Sequence, residues 1–181
     1  TRHLEDSGAN VLPVISRRAR GRGTGSKEAR IDEILPSDSI EVMAAKIRKF
    51  GASKLLHAAT HFTPGSEPQN VRDVVSANLQ FSINALEGAV LAGIKEFVIL
   101  NSFWQIPWLA PSRNARTSPY TASKSAFQTY VTCRLNKSHR LTQVYIVDTF
   151  GPGDARRKLV NYLITANLSG QEVTLKTPDT P

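Results

Sequence analysis

A short apolar run between two polar ends constrains this chain most. Lys95-Glu96-Phe97-Val98-Ile99-Leu100-Asn101-Ser102 follows Gly93, a helix stop signal, and is too brief for a helix, so it is predicted to be a buried strand closing on a polar pair. The segment before it has the other periodicity: Val71, Val74, Val75, Leu79, Ile83, Leu86, Val90 and Leu91 mark the stripe of a long helix over about 71–92. The alternation repeats along the chain. A helix over about 40–50, capped by Ser37 or Ser39 and ended by Gly51, precedes a strand at 54–57. A helix opening at Ser118-Pro119 precedes a strand at 143–148, and a further helix spans about 159–168. Strands are also expected at 10–16, where Pro13 interrupts one ladder, at 31–34 as an edge, and beginning at 173–175. Strands separated by helices become parallel, which predicts an α/β doubly wound parallel sheet with helices on both faces.

Composition narrows the function classes. The 181 residues make room for one domain with a sizeable core, and no apolar run is long enough to span a membrane. No charged-then-apolar leader is seen, so a cytoplasmic location is expected. The single cysteine, Cys133, excludes an internal disulfide and a cysteine-cluster metal site. His57 and His61 stand four apart without further ligands, so no metal site is expected. The net charge of +8 suits anionic partners: nucleic acid, a membrane surface or a phosphate-bearing small molecule. Six basic residues lie between Arg17 and Arg30 with no aromatic among them to stack a base, which weighs against single-stranded nucleic acid.

The chemistry concentrates at Ser118-Pro119-Tyr120-Thr121-Ala122-Ser123-Lys124. Tyr120 and Lys124 are four apart on a helix and share one face. An ammonium near a phenol favours the phenolate, which suits acid/base work. Spacing alone favours a structural helix with an exposed Tyr and an exposed Lys. Ser102 adds a hydroxyl at the carboxyl end of a strand, where ligands bind in α/β sheets.

Tyr120-x-x-x-Lys124, the strand-end Ser102, Leu55-Leu56-His57-Ala58-Ala59-Thr60 and Thr149-Phe150-Gly151-Pro152-Gly153-Asp154 together resemble the short-chain dehydrogenase/reductases. The closer resemblance is to their extended branch, the NAD(P)-dependent epimerases, dehydratases and reductases of nucleotide sugars. It runs over nearly the whole chain. It implies a Rossmann-like cofactor domain over 1–154 and the start of a substrate lobe over 155–181. It also implies a first strand and Gly-rich turn ahead of residue 10, which this sequence lacks, and a longer substrate lobe. Gly21-x-Gly23-x-Gly25 is no substitute, because it follows basic residues and opens no clear helix.

The resemblance assigns roles by residue. Tyr120 becomes the acid/base, Lys124 its tuning partner and a contact to the nicotinamide ribose, and Ser102 a holder of the same substrate oxygen. Arg17 and Arg18 end the second strand where an acidic residue would bind the ribose of NAD, so NADP is expected over NAD. Asp32 falls beside the adenine, and Ala58 and Ala59 let the backbone approach the cofactor. Asn78 helps hold the long helix and the active-site strands. Phe103 and Trp104 stand where dehydratases carry an acidic pair, which argues for a reductase or epimerase; they line a sugar pocket or anchor the loop. Thr149 and Arg156 are placed against substrate. A homodimer is implied through helices 71–92 and 120–135. Two other readings stay open: an NADPH-dependent reductase of a small carbonyl compound, and a non-catalytic NADP-sensing or nucleic-acid-binding protein.

Overall fold

A computed structural model describes residues 7–12, 34–63, 67–107, 118–147, 149, 151 and 159–174. Helix α1 (Ile40–Phe50) starts where Ser39 Oγ accepts from Val42 N at 3.3 Å. It ends at Gly51, whose φ of 72° is the left-handed cap that glycine adopts without penalty. Strand β1 (Lys54–His57) follows. Helix α2 (Pro68–Val75) begins three residues earlier than the apolar stripe indicates, because Pro68 fits a first-turn position where no N–H is needed. The predicted single helix is interrupted: a π turn over Ser76–Gln80 separates α2 from α3 (Phe81–Ala92).

Strand β2 (Glu96–Ser102) runs into a 3-10 turn at Phe103–Gln105. Helix α4 (Pro119–Arg134) is capped by Ser118, whose Oγ accepts from Thr121 N at 3.2 Å. Strand β3 (Arg140–Ile146) starts and ends earlier than expected, and α5 spans Leu159–Leu168.

The three strands form a parallel sheet in the order β1-β2-β3. Leu56 pairs with Val98 across one ladder, and Val98 with Thr142 across the next. At the amino ends Glu96 bridges Lys54 at 3.1 Å and Arg140 at 2.8 Å, so one carboxylate ties all three strands. These exposed pairs add little to stability, because water and salt screen them.

Burial alternates along β2. Phe97 and Ile99 join Met43 and Ile47 of α1, Leu86 and Ala89 of α3, and Phe127 and Val131 of α4 in one core. Gly88 permits α3 to lie on α1, since a Cβ there would stand 2.8 Å from Met43 Cβ. The opposite sheet face keeps Leu56, Val144 and Ile146 exposed.

Of the other expected strands, residues 10–12 and 173–174 join no ladder among the described residues, and Ile34 makes an isolated bridge. Residues 13–16, 31–33 and 175 lie outside the described residues. No described helix is long and apolar enough to cross a membrane.

Candidate active site

The carboxyl ends of β1 and β2 and the first turns of α4 meet in one place. Lys124 is 4% exposed, and its Nζ donates to the Leu100 carbonyl of β2 at 2.7 Å. That burial excludes the alternative of an exposed lysine on a structural helix. Desolvation lowers the Lys124 pKa from 10.5 to about 8, because burial penalises the charged form. Among the described residues this contact uses one of its three ammonium hydrogens, which leaves two donors for a bound group.

Ser102 ends β2 two residues later. Its Oγ accepts from Trp104 N at 3.3 Å, and its own N–H donates to Gln105 Oε1 at 2.7 Å, a capping box around the 3-10 turn. Among the described residues nothing accepts the hydroxyl hydrogen of Ser102, so it can go to a ligand oxygen. Tyr120 is half-buried in the first turn of α4. Its ring meets Trp104 edge-on with centroids 6.0 Å apart and Phe62 edge-on at 5.3 Å. No hydrogen bond joins Tyr120, Ser102 and Lys124 to one another; sites without bound substrate are often loose in this way.

Asn78 ties this site together from the π turn. Its Oδ1 accepts from His61 N at 2.6 Å, and its Nδ2 donates to the His61 carbonyl at 2.8 Å and to Ser123 Oγ at 3.3 Å. Ser123 Oγ donates in turn to the Tyr120 carbonyl at 2.8 Å. The loop after β1, the long helical segment and the Tyr120 turn are therefore one polar unit. Single-turn π segments recur at such functional positions.

Beneath the site lies His57, buried against Phe127 with ring centroids 4.7 Å apart and with neither ring nitrogen hydrogen-bonded. Its pKa falls from 6.5 to about 4, first through burial and then through the Lys124 charge. His61 is tied to Thr63 Oγ1 through Nε2 at 2.7 Å. Among the described residues no group of three or more His, Cys, Asp or Glu is placed to hold a metal ion.

The remaining sequence-predicted positions divide sharply. Ala58 is exposed and Ala59 half-buried directly after β1, so the chain there is open to a ligand. Phe103 and Trp104 form the turn after Ser102, and Thr149 is exposed beyond β3. Arg17, Arg18, Asp32 and Arg156 lie outside the described residues.

Sequence reasoning missed Phe62 and a relay of amides. Gln105 Nε2 donates to Gln128 Oε1 at 2.9 Å, and Gln128 Nε2 donates to the Tyr145 hydroxyl. A signal was present: Ser102-x-x-Gln105 is a capping-box spacing, and Gln128 stands one turn beyond Lys124. Phe62, in a polar loop, carried no such signal.

The donor set suits the nicotinamide half of a dinucleotide: a buried ammonium with two free donors, a hydroxyl, a phenol and an open small-residue turn. The profile of the family described as NAD dependent epimerase/dehydratase matches residues 1–180. No curated protein matches the chain in sequence. Among solved structures, the chain is similar to the Bordetella bronchiseptica enzyme WbmG in complex with NAD, at TM-score 0.64 and 18% identity over 95% of this chain and 56% of that one. It is similar to UDP-glucose 4-epimerase from Thermotoga maritima with UDP-glucose, at TM-score 0.65 and 17% identity over 96% and 60%. The NADP-bound GDP-mannoheptose C4 reductase of Campylobacter jejuni aligns at TM-score 0.55 and 15% identity over 76% and 49%. The chain spans less than two thirds of the length of each, and at these identities the likeness is one of fold.

Proposed function

Because the chain belongs to the NAD-dependent epimerase/dehydratase family, we propose that it oxidises and reduces a nucleotide-linked sugar with a nicotinamide cofactor, as an epimerase or a reductase. One observation carries this reading: a lysine ammonium buried on the β2 carbonyl of Leu100, one helical turn from Tyr120 and beside Ser102. A structural lysine gains little from such burial, whereas one that binds a ribose hydroxyl and holds positive charge near a phenol is placed where it acts.

When bound, the cofactor supplies the hydride chemistry. This chain's residues do the rest. Tyr120 removes the proton from the reacting hydroxyl in one direction and returns it to the carbonyl oxygen in the other. Ser102 donates its free hydroxyl hydrogen to that same oxygen. Lys124 favours the phenolate of Tyr120 and donates to the nicotinamide ribose. Phe103 and Trp104 offer no carboxylate, which disfavours water elimination. The homodimer would form through the helices over 71–92 and 120–135, whose packing is braced by Tyr130 and Arg134 on Glu87.

NADP is the preferred cofactor in this reading, since Arg17 and Arg18 take the place in the sequence where the family's NAD-binding members carry an acidic residue for the ribose. The protein should bind NADP more tightly than NAD in a calorimetric titration, and Ala at both positions should remove most of the difference, because charge-assisted phosphate contacts are strong. Equal affinities in the unmodified protein would refute the preference. A panel of UDP-, dTDP- and GDP-sugars scored by thermal shift in the presence of NADP tests the substrate class. Stabilisation by none of them would remove it.

A further inference from the structure

We propose that Phe62 and Trp104 form an apolar wall beside Tyr120 that selects a nucleotide sugar bearing a methyl, rather than a hydroxymethyl, next to the reacting carbon. The inference rests on the function proposed above and deepens it. Phe62 is 53% exposed although it is a large aromatic, and it leaves the carboxyl end of β1 where a ligand would bind. Its ring meets both Trp104, at 5.8 Å, and Tyr120, at 5.3 Å, and Trp104 meets Tyr120 at 6.0 Å. These are the edge-to-face arrangements that aromatic pairs favour, so the three rings are fixed against one another.

The wall is held in place from behind. Trp104 N is bound to Ser102 Oγ, and the turn that carries Trp104 is tied through Gln105 and Gln128 to Tyr145 of β3. A surface held this way is preorganised and loses little freedom on binding.

Its chemistry then sets the substrate. Neither phenyl ring, Phe62 nor Phe103, offers a hydrogen bond, and the indole N–H of Trp104 is a donor only. The one Gln of this turn, Gln105, faces the turn and α4 instead: its Oε1 accepts from Ser102 N and its Nε2 donates to Gln128 Oε1. A hydroxymethyl pressed against the rings of Phe62 and Trp104 would leave water for two rings that accept no hydrogen bond from it, whereas a methyl gains from the same contact. An apolar pocket separates such a pair by about 10- to 100-fold.

The test compares UDP-glucose with UDP-6-deoxyglucose by calorimetry on the NADP-loaded protein, with Phe62→Leu and Phe62→Ser variants. Phe62 is exposed, so both substitutions should fold. The wild type should bind the deoxy sugar about 10- to 100-fold more tightly. Phe62→Leu should keep most of that preference and Phe62→Ser should lose it, with NADP affinity unchanged in both. Equal binding of the two sugars, tighter binding of UDP-glucose, or a preference that survives Phe62→Ser would overturn the wall while leaving the proposed activity standing. Binding of NADP with no binding of either sugar would overturn the proposed substrate class, and the wall with it.

Discussion

Tyr120→Phe should lower turnover by roughly 10²–10⁴-fold, the usual contribution of a general acid–base group, with fold and cofactor affinity nearly unchanged. The substitution keeps the ring, and with it the edge-on contacts to Phe62 and Trp104. It removes only the hydroxyl, which makes no hydrogen bond among the described residues. Lys124→Ala should behave differently. It deletes a buried ammonium and its bond to the Leu100 carbonyl, so turnover and cofactor affinity should fall together. Steady-state kinetics combined with a cofactor titration separates the two patterns. Two silent substitutions would identify α4 as a structural helix.

The second large effect is on stability and comes from His57. Its folded pKa is depressed from 6.5 to about 4, so the native state holds the ring neutral while the unfolded chain takes up a proton. Stability from this residue is therefore complete above about pH 6.5 and is lost as pH falls toward 4, by about 3 kcal/mol on the scale of 1.36 kcal/mol per pKa unit. His57→Leu should leave stability equal or higher at neutral pH, since two unpartnered ring nitrogens leave the core, and should remove this part of the acid limb. Carboxylates such as Glu87, held below their usual range by Arg134 and Tyr130 against the cost of burial, titrate alike in both proteins and cancel in the difference. Urea unfolding of the pair between pH 7 and pH 4 measures it, and parallel curves would show that His57 is not held neutral. Lys124 adds a rise of the same sign at higher pH, from about 8 toward its unfolded value, because the buried ammonium is then discharged in the native state first.

How much of this was legible follows from what each signal depends on. The helices at 40–50 and 159–168 and the strand at 54–57 were readable to the residue, because Ser39, Gly51 and the apolar spacing are local. The start of β3 was missed: Arg140 enters the ladder through its register with Glu96, a tertiary fact with no local pattern. The π turn was invisible for the same reason. Asn78 is satisfied by His61 and Ser123, groups distant in sequence, and only their positions explain the extra residue in that turn. Tyr120, Lys124 and Ser102 were legible as residues with a shared end of the sheet. The depth of Lys124 was not, since a four-residue spacing is blind to which side of the helix the core covers. Phe62 and the Gln105–Gln128–Tyr145 relay were missed because they join three separate segments.

The reacting centre is tested by mixing the NADP-loaded protein with the panel of nucleotide sugars and following the absorbance of reduced nicotinamide. At least one sugar should generate the reduced cofactor, lastingly if the protein is a reductase run in reverse or transiently if it is an epimerase, and Tyr120→Phe should suppress the signal by the factor given above. A protein that binds cofactor and sugar yet never reduces the nicotinamide, or a Tyr120→Phe variant that reduces it as fast as wild type, would contradict the assignment of Tyr120 as the group that moves the proton.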